Sequence, residues 1–125
     1  MRLLLDTNVV VWLLLGDRQA VSDDAVALLS DGENPVAVSA VSVWEIAIKR
    51  SVGKLTLPDG WSRALTRLDF APLPITAMHA EQVERLPWHH RDPFDRLLIA
   101  QAQVEGQTIV TADADIPRYD VATVW

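Results

Sequence analysis

Four acidic residues stand where a folded chain places ligands for a hard cation: Asp6, Glu45, Asp95 and Asp113. Asp6 directly follows Leu3-Leu4-Leu5. An uninterrupted apolar run fits a strand covered on both faces. An acid straight after such a strand is hard to explain as packing, because an unpaired buried charge is expensive. The competing explanation is a turn or N-cap for a helix starting near Asn8. Asp113 mirrors Asp6, following Ile109-Val110-Thr111 and Ala112. Glu45 reads two ways. Ser42-x-x-Glu45 is a capping-box pattern and Glu45 with Lys49 an i,i+4 pair, which together explain it without chemistry. Its place in the first turn of a helix after a second strand instead aims it at the end of the sheet where Asp6 lies. Asp92-Pro93-Phe94-Asp95 is likewise a good helix start, with Asp92 as N-cap and Pro93 at the first position. Phe94, Leu97, Leu98 and Ile99 bury that helix, however, and draw Asp95 inward. Asp95 is therefore the expected ligand and Asp92 a helper, while Asp115 reads as a solvated loop acid. Carboxylates gathered in this way repel one another, and an all-oxygen set suits Mg2+ or Mn2+ better than zinc.

The elements that must position these acids follow from pattern and punctuation. A strand is expected over 2–5 and a helix over 8–15, entered through Thr7 and stopped at Gly16. Ser22 caps a helix ending at Ser30, and Asp23 and Asp24 in its first turn favour the dipole. A turn at 31–35 leads to a strand over 36–39. Ser42 opens a third helix to about Val52, with Gly53 as its stop. After a connector at 55–59 come a short helix over 61–68 and an edge strand within 70–75, marked by Pro72 and Pro74. Thr76 caps a helix to Leu86, a loop covers 87–92, and a helix over 93–105 ends at Gly106. A buried strand at 108–110, a turn or short helix at 115–119 and a last strand at 121–124 complete the chain. Strands alternating with helices predict an α/β fold with a parallel sheet between helical layers. In open sheets of that kind ligands bind at the carboxyl ends of the strands.

Composition bounds the function. A chain of 125 residues with 50% hydrophobic residues is one domain, 1–125, with a real core. Its formal charge of −6 argues against a generic nucleic-acid binder, unless bound cations invert the local field. The absence of cysteine excludes disulfides, thiolate zinc sites and a cysteine nucleophile, and suits a cytoplasmic location. The apolar N-terminus is interrupted by Asp6 and Asn8, and 9–15 is far short of the about 20 residues of a spanning helix. A soluble chain without a membrane partner is expected.

The motifs together resemble the PIN-domain ribonucleases, specifically VapC-type toxins of toxin–antitoxin pairs. The likeness rests on Leu-Leu-Leu-Asp-Thr-Asn at 3–8, Val-Ser-Ala-Val-Ser-Val-Trp-Glu-Ile-Ala at 38–47, His-Arg-Asp-Pro-Phe-Asp-Arg-Leu-Leu-Ile-Ala-Gln-Ala at 90–102 and Ile-Val-Thr-Ala-Asp at 109–113. The resemblance implies a PIN-like three-layer sandwich with a five-stranded parallel sheet, a homodimer, and a VapB-type antitoxin whose peptide covers the cleft. It carries the family's acidic site onto Asp6, Glu45, Asp95 and Asp113, places Asp92 in the Asp-Pro-Phe-Asp-Arg signature of a subgroup, and gives Thr111 the place of the hydroxyl beside the last acid.

The expected activity is divalent-metal-dependent hydrolysis of RNA phosphodiester bonds. In that chemistry Asp6 and Asp95 hold the principal ion, Asp113 supports it or a second one, and Glu45 orients or deprotonates the water. Asn8 and Thr111 would fix the carboxylates. Arg96 is the favoured phosphate contact, with Arg91 and Lys49 as further ones. The adjacent His89 and His90 read as solvent-facing, with a ligand or general-acid role as the alternative. The five tryptophans read as core or interface residues, with base stacking open to Trp88. A haloacid-dehalogenase-like phosphatase fits less well, because its second acid would fall at Asn8. A response-regulator receiver fails for lack of any lysine after Lys54. A catalytically silent PIN-like binding module remains the alternative.

Overall fold

Leu3, Leu4 and Leu5 are all fully buried, because the strand they form lies at the centre of a sheet covered on both faces. The computed structural model describes residues 1–125. In chain order the elements are β1 (Leu3–Leu5), α1 (Thr7–Leu15), α2 (Asp23–Ser30), β2 (Val36–Ser39), α3 (Ala40–Ser51), α4 (Trp61–Arg67), β3 (Ala71–Leu73), α5 (Ala77–Gln82), α6 (Pro93–Glu105), β4 (Thr108–Val110) and β5 (Thr123–Val124). Single 3₁₀ turns lie at Arg18–Ala20, Val83–Arg85 and Ile116–Arg118. The five strands run in the order β3-β2-β1-β4-β5 and every neighbouring pair is parallel. The expected α/β architecture, a five-stranded parallel sheet between helices, is therefore observed. No helix is long and apolar enough to cross a membrane.

Period-two alternation sends successive strand residues into two separate cores. Leu3 and Leu5 join Val36, Val38 and Val110 on one face, packed by Val9 and Val10 of α1, Ala25 of α2 and Ile46 of α3. Leu4, Ala37 and Ile109 face the other way, onto Val41, Leu86 and the α6 residues Leu98, Ile99 and Ala102. From β1 the chain winds outward through β2 to the edge strand β3, then crosses back to β4 on the other side of β1. The direction of winding reverses between β1 and β4. The carboxyl ends of these two strands thus flank the crevice characteristic of open α/β sheets.

Several boundaries depart from the sequence-based expectation. Helix α3 starts at Ala40 and is capped by Ser39, whose Oγ accepts from the Val41 amide at 2.9 Å. Ser42 therefore lies inside the helix, and the Ser42–Glu45 capping box does not form. The capping box in this chain is at α5, where Thr76 accepts from the His79 amide and the His79 ring accepts from the Thr76 amide. That helix is α-helical only to Gln82 and tightens into the 3₁₀ turn. None of the five tryptophans reaches full burial: Trp44 and Trp88 are exposed, Trp88 by 76%. The cores are aliphatic instead.

Arg96 is the clearest correction. Expected to contact phosphate, it is 3% exposed and donates inward. Nη1 donates to the Pro87 carbonyl at 2.8 Å and the Tyr119 hydroxyl at 3.2 Å, and Nη2 to the carbonyls of Val83 and Leu86, both at 3.3 Å. Its guanidinium lies 3.8 Å from the centroid of the Trp88 ring. The planar fork of donors suits a loop whose carbonyls converge on one point, so Arg96 organises residues 83–90 and is buried away from a substrate. Arg96→Lys keeps the charge but cannot reach these acceptors together. The expected loss is about 3 kcal/mol, seen as a fall of roughly 10 °C in thermal denaturation. An unchanged melting temperature would contradict the organising role.

Candidate active site

Asp6 follows β1 and occupies the N-cap position of α1, yet its side chain makes no capping bond to that helix. Its Oδ2 instead accepts from Thr111 Oγ1 at 2.7 Å, across the crevice at the end of β4. The same hydroxyl accepts from the Asp113 amide at 3.0 Å. Thr111 thus ties the ends of the two strands and turns both acids toward one space. Asp6 is only 4% exposed. Burial is the main reason its pKa is raised; the bond from Thr111 opposes the shift, and repulsion from Asp113 and Glu45 adds to it.

Asp95 arrives from the first turn of α6. Asp92 caps that helix, its Oδ1 accepting from the amides of Phe94 at 2.9 Å and Asp95 at 3.1 Å. The structural role foreseen for Asp92 is therefore present, and it fixes the turn that directs Asp95 inward. The Asp95 pKa is pushed up to about 7, first by burial and then by repulsion from Asp6, with Asp92 and Glu45 adding to it. Glu45, in the second turn of α3, is buried. Its Oε2 accepts from Lys49 Nζ at 2.6 Å, so the foreseen i,i+4 pair forms. Its Oε1 is buried without any hydrogen-bond partner. A buried acceptor left unpaired is costly, and one beside other carboxylates points to a cation or a polarised water as its missing partner.

His90, read from sequence as solvent-facing with a ligand or general-acid role as the alternative, lies in the site. It is half-buried, and its Nε2 lies 2.7 Å from Asp95 Oδ2. That bond raises the pKa of the imidazole, burial opposes the shift, and the charges of Asp95, Asp113 and Asp92 reinforce it. Ligand atoms of His90, Asp92 and Asp95 lie within 4.8 Å of one another, as do those of His90, Asp113 and Asp115. Asp115 thus belongs to the rim of the site rather than to an isolated loop. A histidine two residues before a helix cap carries no periodic signal; only the bend of the loop held by Arg96 and Tyr119 brings it back over Asp95. The His90 amide donates to the Tyr119 hydroxyl at 2.8 Å. A second contact without a sequence signature joins Thr7 Oγ1 to Ser42 Oγ at 2.9 Å, bracing the first turns of α1 and α3 against each other.

Other expected residues lie elsewhere. Asn8 is exposed, and the bonds that orient the acids come from Thr111, Lys49, His90 and the Asp115 amide rather than from its amide. Arg91 is exposed beside the Asp92 turn. Lys49 is engaged with Glu45 and is not a free phosphate contact in this state. A groove of about 920 Å³ lies away from the acids between α3, α4 and β3, lined by Trp44, Leu65, Phe70 and Leu73 among others.

A carboxylate-rich cluster in which Asp6 and Asp95 have raised pKa values and one buried oxygen is orphaned fits a divalent cation. Asp95 and Asp113 each belong to a group with ligand spacing, and His90 belongs to both; Asp6 and Glu45 lie in neither group, and Asp6 bears on Asp95 through its charge.

Comparisons with solved structures agree with this architecture. VapBC2 from Rickettsia felis, solved bound to a DNA fragment from its promoter, aligns with a TM-score of 0.71 at 18% identity, covering 99% of this chain and 98% of that one. FitAcB from Neisseria gonorrhoeae gives 0.63 at 23%, covering 98% and 96%. A toxin–antitoxin complex from Klebsiella pneumoniae gives 0.63 at 19%, covering 98% and 95%. At such identities the likeness is one of fold. None of the curated proteins compared matches the sequence. The PIN domain family model, however, matches residues 3–122, which leaves out only the two ends. The chain belongs to the PIN domain family.

Proposed function

We propose that this protein is a divalent-metal-dependent endoribonuclease acting as the toxin of a toxin–antitoxin pair. The observation that carries the reading is the convergence of Asp6, Glu45, Asp95 and Asp113, from four separate elements, toward one crevice, where burial and the neighbouring carboxylates raise the proton affinity of Asp6 and Asp95 and Glu45 Oε1 has no partner. Neither packing nor helix capping accounts for that arrangement.

Phosphodiester hydrolysis requires an activated water, an in-line approach and neutralisation of charge on the phosphoryl and leaving oxygens. Mg2+ or Mn2+, when bound, supplies that neutralisation and makes its water more acidic. Asp6, Asp95 and Asp113 would hold the ion. Thr111 holds Asp6 in orientation, His90 holds Asp95, and the Asp115 amide holds Asp113 Oδ1 at 2.9 Å. Such supporting bonds keep ligands aimed and adjust their basicity. Glu45 Oε1, the acceptor without a partner, takes the hydrogen bond or the proton of the attacking water. Arg91, exposed at the rim, and Lys49, once released from Glu45, are the cations available to the RNA backbone.

The same reading gives the chain a VapB-type antitoxin and a second copy of itself as partners. Support comes from fold neighbours solved as complexes and from apolar surface on this chain. Val43, Trp44 and Ile48 of α3 are exposed, next to the groove against α4 and β3.

Two outcomes test this reading. Wild-type protein should cleave single-stranded RNA in Mn2+ or Mg2+ and stop on chelation, while Asp6→Asn should lose about 100-fold or more of the rate. Chelator-insensitive cleavage, or no cleavage at all by wild type, would leave a binding module. The second outcome concerns pH. The Asp95 pKa is raised from 3.8 to about 7, and that of Asp6 is raised as well. Both acids favour the fold while protonated; the contribution of each is complete below about pH 4 and is lost as pH rises through its folded value, about 7 for Asp95. His90, raised from 6.5, adds in the same direction: its contribution is present below 6.5 and lost as pH rises through its folded value. In EDTA the melting temperature should therefore fall from pH 5 to pH 8 by several degrees. Mn2+ should recover most of the loss, and Asp95→Asn should flatten the profile. A flat profile for metal-free wild type would show that the acids do not strain one another.

A further inference from the structure

Lys49 is the one lysine or arginine that forms an ion pair with any of the four central acids. Arg96 is committed to carbonyls, Arg118 pairs with Asp115 at 3.5 Å, and Arg50 pairs with the distant Asp59. Lys49 lies one turn beyond Glu45 on α3, with its Nζ 2.6 Å from Glu45 Oε2. The pair is unequal in its surroundings, since the Glu45 side chain is 4% exposed and that of Lys49 39%. An ordinary i,i+4 pair joins two solvated side chains and contributes a few tenths of a kcal/mol. Here an ammonium reaches from solvent to a buried carboxylate. Asp92 and Asp95, carried by α6, strengthen the hold on it, so Lys49 answers to the acids of the crevice and not only to its helix neighbour.

We propose that Lys49 is a tethered counter-cation of the acidic crevice: its ammonium competes with the divalent ion for Glu45 and so sets how tightly that ion binds. The inference rests on the metal-binding reading given above. Without metal, Lys49 supplies the only charged partner of Glu45, whose other oxygen has none. A divalent ion entering beside it meets a like charge at short range, and like charges in a poorly screened site repel strongly. The half-exposed stem of Lys49 gives the ammonium a route back into solvent, and Glu45 then turns its charge to the incoming ion. Each cation thus substitutes for the other. Linkage makes the antagonism mutual: whatever Lys49 takes from metal affinity, bound metal takes from the Lys49–Glu45 pair. The crevice is neutralised in part at low metal and opens to a phosphate only when the ion has displaced the lysine.

The test is Mn2+ binding by isothermal titration calorimetry on the full chain, for wild type, Lys49→Met, Lys49→Arg and Asp6→Asn, with thermal denaturation of each in EDTA and in saturating Mn2+. Lys49→Met should bind Mn2+ about tenfold more tightly than wild type. Lys49→Arg, which keeps the charge, should stay within about twofold of it. In EDTA Lys49→Met should melt below wild type, and saturating Mn2+ should raise its melting temperature by more than it raises that of wild type. A helix-stabilising pair alone would lower both melting temperatures equally and leave Mn2+ affinity unchanged, and that result overturns the proposal. Weaker Mn2+ binding by Lys49→Met overturns it as well, while leaving the metal site intact if Asp6→Asn abolishes binding. Should wild type and all variants fail to bind Mn2+, the metal-binding reading fails and this inference with it.

Discussion

Like charges held together at the carboxyl edge of a parallel sheet are the constraint around which this molecule is built. Asp6 and Asp95 are largely removed from water and face each other's charge, and both hold their protons more strongly than an isolated carboxylate does. A fold retains such an arrangement only if other interactions outweigh the repulsion. The two aliphatic cores supply them. Every residue of β1 is fully buried, and its two faces anchor separate clusters that reach α1 and α3 on one side and α6 on the other. The acids ride on the ends of the elements those clusters fix in place.

The local devices that ease the repulsion are each small and each different. Asp6 and Asp92 sit at helix N-termini, where the partial positive charge of the helix dipole favours an anion. Thr111 donates to Asp6, His90 binds Asp95 and Lys49 binds Glu45. These are single bonds from three chain segments, so no local rearrangement satisfies the cluster as a whole. The remaining imbalance is concentrated at Glu45 Oε1 and at the raised carboxyl of Asp95. That residue of unmet charge is what makes the crevice receptive to a cation, and it follows from geometry rather than from the mere number of acids.

Arg96 shows how a charge beside the site serves the scaffold. Its neighbours are the carbonyls of the 3₁₀ turn and loop that precede α6, together with an indole ring and a phenol. A buried guanidinium without a carboxylate is tolerated because both of its Nη groups find carbonyl or hydroxyl acceptors. By closing the loop over the start of α6, it delivers His90 to Asp95. The position next to Asp95 in the chain suggested contact with substrate. The side chain points the other way because consecutive helix residues are about 100° apart, which turns Asp95 to the crevice and Arg96 to the loop.

The alternation of apolar runs with polar stops determined by itself the α/β class, the strands around Leu4, Ala37 and Ile109, the edge placement of the proline-bearing strand and the bounds of α6. Those features depend on periodicity, capping and proline geometry, which act between residues a few positions apart. Sequence also singled out the four acids, since each abuts a strand end or a helix start. The Lys49–Glu45 pair was already legible as an i,i+4 spacing. Only the tertiary structure decided which of the acids bear a shared charge, that Arg96 turns to the loop carbonyls, and that the loop held by Arg96 and Tyr119 brings His90 onto Asp95 while Asn8 stays in solvent. These outcomes turn on contacts between segments far apart in the chain. Their distances are set by how the sheet twists and how the helices pack on it, and no local spacing encodes them.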